Sequence, residues 1–173
     1  MPLLPVSENK SSFELHLDLG SIQGESTSST HSQEIDISSF SFGATSSAIR
    51  SAAGSPKGGK PTVSEITVTK QIDKASPALY SALVNAQKIN TAEITLSKST
   101  GGGKPEDYVT ITLTNVYITS IQTGSSKDLP PNQKGAETVT LNFQKIDFSY
   151  KIQLTSGLLA AGTSWQYDLT AGT

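Results

Sequence analysis

Apolar residues recur at every second position along most of this chain. Phe13, Leu15, Leu17 and Leu19 alternate with Glu14, His16 and Asp18. Ile66 and Val68 alternate with Thr67 and Thr69; Ala92, Ile94 and Leu96 with Glu93, Thr95 and Ser97. Val109, Ile111 and Leu113 alternate with Thr110, Thr112 and Thr114, and Val139, Leu141 and Phe143 with Thr138, Thr140 and Asn142. Side chains of a strand point alternately to opposite faces, so this period predicts half-buried strands with one face on a core. A chain of 173 residues is long enough to bury one such core. The expectation is a single mainly β domain.

The alternation slips at three places. Ile35 and Ile37 are out of phase with Phe40 and Phe42, which predicts a bulge at Ser38–Ser39. Val116 and Ile118 are out of phase with Val109–Leu113, which predicts a second near Thr114–Asn115. The slip at Gln144–Lys145 lacks good turn residues, so residues 139–150 read as one long bent strand. Trp165, Tyr167 and Leu169 read as a last short strand.

Residues 1–12, with Pro2 and Pro5, read as a flexible tail before a domain spanning 13–173. Residues 44–61, rich in small residues, exceed the usual length of a connection and read as a long extended loop. The one convincing helix is Ser76–Gln87. Ser76 is placed to cap it, Pro77 suits its first position, and Leu79, Leu83 and Gln87 form a stripe widened by Tyr80 and Val84.

Little here points to catalysis. The chain lacks cysteine, which excludes disulfides and thiolate chemistry. His16 and His31 are its only histidines, too few for a His-rich metal site; His16 sits on a polar strand face and is expected exposed. Gly54-x-x-x-x-Gly59-Lys60 imitates a phosphate loop, but Pro61 follows where a hydroxyl is needed, and the next segment reads as strand rather than helix. A net charge of -2 argues against a nucleic-acid surface. No apolar run is long enough for a membrane-spanning helix, and MPLLPVSENK lacks the basic and apolar regions of a secretory signal.

The polar faces of the strands are more informative. Exposed strand faces usually carry Lys, Glu and Arg. Here Thr67, Thr69, Thr95, Thr110, Thr112, Thr114, Thr138 and Thr140 stand instead, in a chain about a quarter Ser and Thr. Threonine is β-branched and hydrogen-bonding but uncharged. Such faces suit contact with other subunits, or a hydrated wall that does not hold cargo by charge.

Five segments in order resemble one known family. They are Gly20-Ser21-Ile22-Gln23-Gly24-Glu25-Ser26; His31 with Glu34-Ile35-Asp36-Ile37; Lys70, Asp73 and Ser76-Pro77-x-Leu79; Tyr108 with Ile111 and Leu113; and Glu137 through Phe143 with Ile146 and Tyr150. Together they resemble the haemolysin-coregulated proteins (Hcp), which form the inner tube of the bacterial type VI secretion system, over about residues 13–170. Phe40 and Phe42 stand where the family often has Trp, and the loop at 44–61 is this chain's own.

The resemblance implies a compact, tail-tube-like β-barrel of two packed antiparallel sheets with one flanking helix. It implies homohexameric rings that stack into a tube, driven by a contractile sheath, capped by a spike protein and able to carry effector cargo. It implies assembly in the bacterial cytoplasm and release to the medium or a target cell without a signal peptide. No enzyme activity, cofactor, metal, nucleic acid or membrane insertion is expected. Ala48, Ile49, Arg50, Lys57 and Lys60 are expected to serve ring stacking. Glu25, His31, Glu34 and Asp36 are expected to order the first hairpin or meet a neighbouring subunit, and Asp73 and Ser76 to order the helix junction. A phage-like tail tube protein and a secreted β-sandwich adhesin or carbohydrate-binding module remain open as alternatives.

Overall fold

The computed structural model describes residues 13–46, 48–50, 56–99 and 104–172. In chain order the strands are β1 (Phe13–Asp18), β2 (Ile35–Ser41), β3 (Ala44–Thr45), β4 (Ala48–Arg50), β5 (Pro56–Gly58), β6 (Thr62–Val63) and β7 (Ile66–Gln71). After helix α1 (Ser76–Val84) come β8 (Ile89–Ser99), β9 (Pro105–Gly124), β10 (Ala136–Asn142), β11 (Lys145–Gln153) and β12 (Leu159–Asp168). The tail at 1–12 lies outside the described residues.

Six strands close into an antiparallel barrel in the order β1, β8, β9, β10, β7, β2 and back to β1. The apolar half of each alternation fills it. Leu17, Ile35, Ile66, Val68, Ile94, Ile111, Leu113, Val139, Leu141 and Ile146 are each at most 1% exposed. Burying each aliphatic side chain is worth about 1.5–3 kcal/mol. The mainly β barrel with one helix is the expected fold.

Closure depends on β9, which is 20 residues long. Its first part pairs with β8 and β11, its last part with β10. Between these parts Asn115 takes a left-handed backbone (φ 54°). Asparagine tolerates that conformation better than most residues. The phase slip expected near Thr114–Asn115 lies here. The slip at Gln144–Lys145 is the matching bend on the partner side. The bent strand expected over 139–150 is divided into β10 and β11, yet Asn142 still pairs with Tyr117 and Lys145 with Thr114, so both lie along β9 in one register. Gln144 is tied to the bend through its N–H to the Thr114 carbonyl (3.0 Å) and its side-chain oxygen, which accepts from Asn115 Nδ2 (2.6 Å). The bulge expected in β2 is present as a register shift between Ile37 and Ser39.

Beyond the bend, β11 and β12 leave the barrel as a hairpin, with β12 at the end of the sheet order. The described parts of 44–61 are more regular than expected. Because β2 and β7 are antiparallel neighbours, their connection continues as a hairpin, with β3 paired to β6 and β4 to β5.

The helix stops three residues earlier than its apolar stripe suggests. Ala86 adopts φ 47°, its N–H donates to the Leu83 carbonyl, and that of Gln87 donates to the Ala82 carbonyl. These two bonds form a Schellman closure, usually built on glycine. Gln87 is thereby removed from the helix, and Val84 is 80% exposed rather than packed. A left-handed alanine is strained by roughly 1–2 kcal/mol. Ala86→Gly is therefore expected to stabilise the protein by about 1 kcal/mol, read as a rise of about 2–4 °C in thermal midpoint.

Candidate functional site

Four strands, β2, β7, β10 and the end of β9, turn their second face away from the barrel core. Cross-strand register aligns their side chains in rows. One row runs Ser120, Thr140, Thr67, Ser41; the next runs Gln122, Thr138, Thr69, Ser39. Each of these eight residues is uncharged. Thr67 and Thr140 hydroxyls lie 3.4 Å apart, within hydrogen-bonding distance. The charges nearest this face stand at its borders. Asp36 lies at the start of β2, and Glu65 accepts from Thr119 and Asn142 at 3.1 Å each. The face offers many hydrogen bonds and little field.

Directly behind it, on the core side, the same register aligns Thr123, Glu137 and Lys70. Lys70 and Glu137 are each 1% exposed. The Lys70 ammonium donates to Glu137 Oε2 (2.9 Å), Asp73 Oδ1 (2.7 Å), Ser76 Oγ (3.3 Å) and the Gln71 carbonyl (2.7 Å). Ser76 Oγ donates to Glu137 Oε2 (2.6 Å) and Thr123 Oγ1 to Glu137 Oε1 (2.9 Å). Burial pushes the Glu137 carboxyl up, but the hydrogen bonds from Ser76, Lys70 and Thr123 outweigh it and hold the pKa below the ordinary value. This cluster is structural chemistry: every charge is met.

Asp73 and Ser76 do meet at the helix junction, but Ser76 does not cap the helix. Ala75 holds the cap position and no side chain caps it. Ser76 Oγ instead accepts from the Asp73 N–H (3.1 Å), and Asp73 Oδ1 accepts from the Ala75 N–H (2.9 Å). The helix begins one residue earlier than a serine cap requires because the Ser76 hydroxyl is taken by Glu137. Lys70 is in phase with Ile66 and Val68, and Glu137 with Val139 and Leu141, so alternation puts both on the core side, but neither strand alone shows that the two meet.

Residues 23–34 cross over the outer side of β1 and β8 as a strap. Its ends are joined by Gly24 N–H to the Gln33 carbonyl (2.8 Å) and Ser26 N–H to the Glu34 carbonyl (3.0 Å). Under it, His31 bridges two carboxylates, Glu34 at 3.0 Å and Asp107 at 2.8 Å. Its ring stacks on His16 with centroids 4.5 Å apart. His16 is 2% exposed, not on a wet face as expected, because the strap covers it. Asp36 stands 3.4 Å from His16 Nε2. Glu25 accepts from Lys134 Nζ (2.7 Å) and from the Lys74 N–H (3.0 Å), so the strap also reaches the helix junction. His31, Glu34 and Asp36 thus gather at one place, with Glu25 separate. Of the residues expected to serve stacking, Ala48, Ile49 and Arg50 lie in β4 and Lys57 in β5, and Lys60 is exposed beside β6. Among the described residues no group of His, Asp and Glu could hold a metal ion, and no helix is long and apolar enough to cross a membrane.

Removing one partner of a buried ion pair strands the other. Lys70→Met is expected to cost about 3–5 kcal/mol in denaturant unfolding. Lys70→Met with Glu137→Leu is expected to recover much of that loss, since no uncompensated charge remains.

Comparison with known proteins agrees with this architecture. The family described as "Type VI secretion system effector, Hcp" matches residues 16–150. Protein hcp1 of Pseudomonas aeruginosa is 32% identical over 149 residues, 86% of this chain and 90% of that protein. A solved type six secretion system protein superposes with TM-score 0.82 at 24% identity, covering 93% of this chain and 98% of the other. Hcp1 from Salmonella typhimurium superposes with TM-score 0.72 at 24% identity, covering 92% and 97%. A barrel closed through a bent central strand, an uncharged outer face and a family match over most of the chain lead to one assignment: this chain belongs to the Hcp family of type VI secretion system proteins.

Proposed function

We propose that this chain is a non-enzymatic tube subunit, that about six copies close laterally into a ring with the Ser/Thr/Gln rows turned to the channel, and that rings stack into an expelled tube. The carrying observation is the pair of four-strand rows without a charge. Four wall strands from each of about six copies, at ~4.8 Å spacing and ~40° tilt, give a circumference of about 150 Å and a channel of about 40 Å after side chains. That is wide enough for a small folded effector.

The lateral contact has a candidate in the β11–β12 hairpin. Ile152, Leu154, Leu158 and Trp165 are between 44% and 54% exposed, and among the described residues the outer edge of β12 is unpaired. Exposed apolar groups on an open sheet edge favour association. Ring closure by neighbours would cover both. The paired strands β3–β6 and β4–β5 are the elements assigned to ring-to-ring contact, with a spike protein and contractile sheath as the remaining partners.

Size measurement by light scattering is expected to give about six times 18.2 kDa, and negative-stain images a ring with a central hole. Compact particles without a hole at every concentration would overturn the reading and favour an isolated module. Deleting residues 47–58 is expected to keep rings and abolish tubes; loss of the ring itself would place that hairpin in the lateral contact. Effector binding is expected to persist as salt rises from about 0.1 to about 0.5 M, because screening weakens only charge-based contacts. A steep loss would mean that charged residues line the channel.

A further inference from the structure

We propose that the stacked His16–His31 pair is a two-sided proton-sensitive clamp on the strap at residues 23–34, which is held tightest in the state with His31 charged and His16 neutral, and loosens when pH moves to either side.

The geometry distinguishes the two rings. His31 has both nitrogens engaged, Nδ1 on Glu34 and Nε2 on Asp107, and Asp107 also accepts from Ser97 Oγ (2.6 Å). A ring with a carboxylate at each nitrogen donates twice only as imidazolium. His16 is held differently. Its Nε2 faces Asp36 at 3.4 Å and Glu14 at 3.9 Å, while its Nδ1 is buried without a hydrogen-bond partner. Its cross-strand neighbour on β8, Thr95, has a buried hydroxyl also without a partner. A second charge on His16 would lie 4.5 Å, centroid to centroid, from the first. Like charges so close, out of water, repel strongly.

The titratable groups facing the pair come from every packed element: Glu14 on β1, Asp36 on β2, Asp107 on β9 and Glu34 on the strap, with Asp18 and Glu93 facing Glu34. The directions follow. Burial and then His31 lower the His16 pKa below 6.5, against smaller pulls from Asp36, Glu14 and Asp107. Burial also disfavours charge on His31, but Asp107 and Glu34 outweigh it and raise the pKa above 6.5. Burial raises Glu34 above its ordinary value despite His31.

Their signs are opposite. His31, raised in the folded protein, contributes stability present below 6.5 and lost as pH rises through its folded value. His16, lowered in the folded protein, contributes stability present above 6.5 and lost as pH falls through its folded value. The two together give a maximum between the two folded values. Glu34 accepts its proton on acidification at little cost, so the acid limb is read above about pH 5, where His titration dominates. What loosens is defined by contact. The strap packs so closely that a Cβ on Gly24 would overlap the Glu34 carbonyl, and through Glu25 it holds Lys134 and the Lys74 N–H at the helix junction.

The test uses the assembled wild-type protein. Nitrogen-detected NMR of the two imidazoles reads each titration directly, and hydrogen exchange of the Gly24, Ser26 and Gln33 amides, corrected for intrinsic rate, reads the strap from about pH 5 to about pH 8.5. The expected result is His16 titrating below and His31 above 6.5, with protection highest between them and falling several-fold on each side. His16→Gln is expected to remove the acid limb only, and His31→Gln the alkaline limb only. Rings that titrate at one common midpoint, protection that is flat across the range, or an acid limb that survives in His16→Gln would each overturn the proposal. If a variant fails to fold, the wild-type titration and exchange profile decide alone.

Discussion

The structure depends on β9 serving both walls of the barrel. A flat strand of 20 residues could not pair with β8 and β11 in one half and with β10 in the other while keeping its apolar side chains inside. The left-handed turn at Asn115 resets the phase, so that Val109, Ile111 and Leu113 before it and Val116 and Ile118 after it all enter one core. β10 and β11 bend with it at Phe143–Gln144. Without that shared bend, one half of the alternation would point its isoleucines to water.

Two polar clusters then fix what the hydrophobic core leaves loose. Aliphatic packing is tolerant of small shifts. Lys70 is not, since its ammonium must meet Glu137, Asp73 and Ser76 at once. The pair ties β7 to β10 and both to the start of α1, directly behind the uncharged rows. The histidine cluster does similar work across β2 from Lys70, tying the strap to β1, β2 and β9. Charges are thus concentrated behind and beside the Ser/Thr/Gln face. That segregation makes the face chemically bland, which is the property the proposed channel wall requires.

Family membership fixes the setting as a type VI secretion protein. The exposed Ile152, Leu154, Leu158 and Trp165 gain meaning there. On an isolated module they would be an aggregation liability. In the proposed ring they would be the surface that a neighbour covers.

Much of this was legible in the sequence. The period of two set the strands and their inner faces, the breaks in phase at Ser38–Ser39 and Thr114–Asn115 marked the bends, and the threonines marked the uncharged face, because each is a local property that alternation exposes directly. Other features were not. His16 reads as a wet residue until the strap is placed over it. Ser76 reads as a cap until Glu137, 61 residues away, takes its hydroxyl. The helix overran to Gln87 because Ala86 carries no sequence mark of the left-handed closure that glycine would have given. The sequence by itself determined which side chains face the core, since burial selects by polarity at each position. Only the tertiary structure decided which polar groups meet, because Lys70 with Glu137 and His16 with His31 are brought together by strand order and chain crossing, and no local pattern records either.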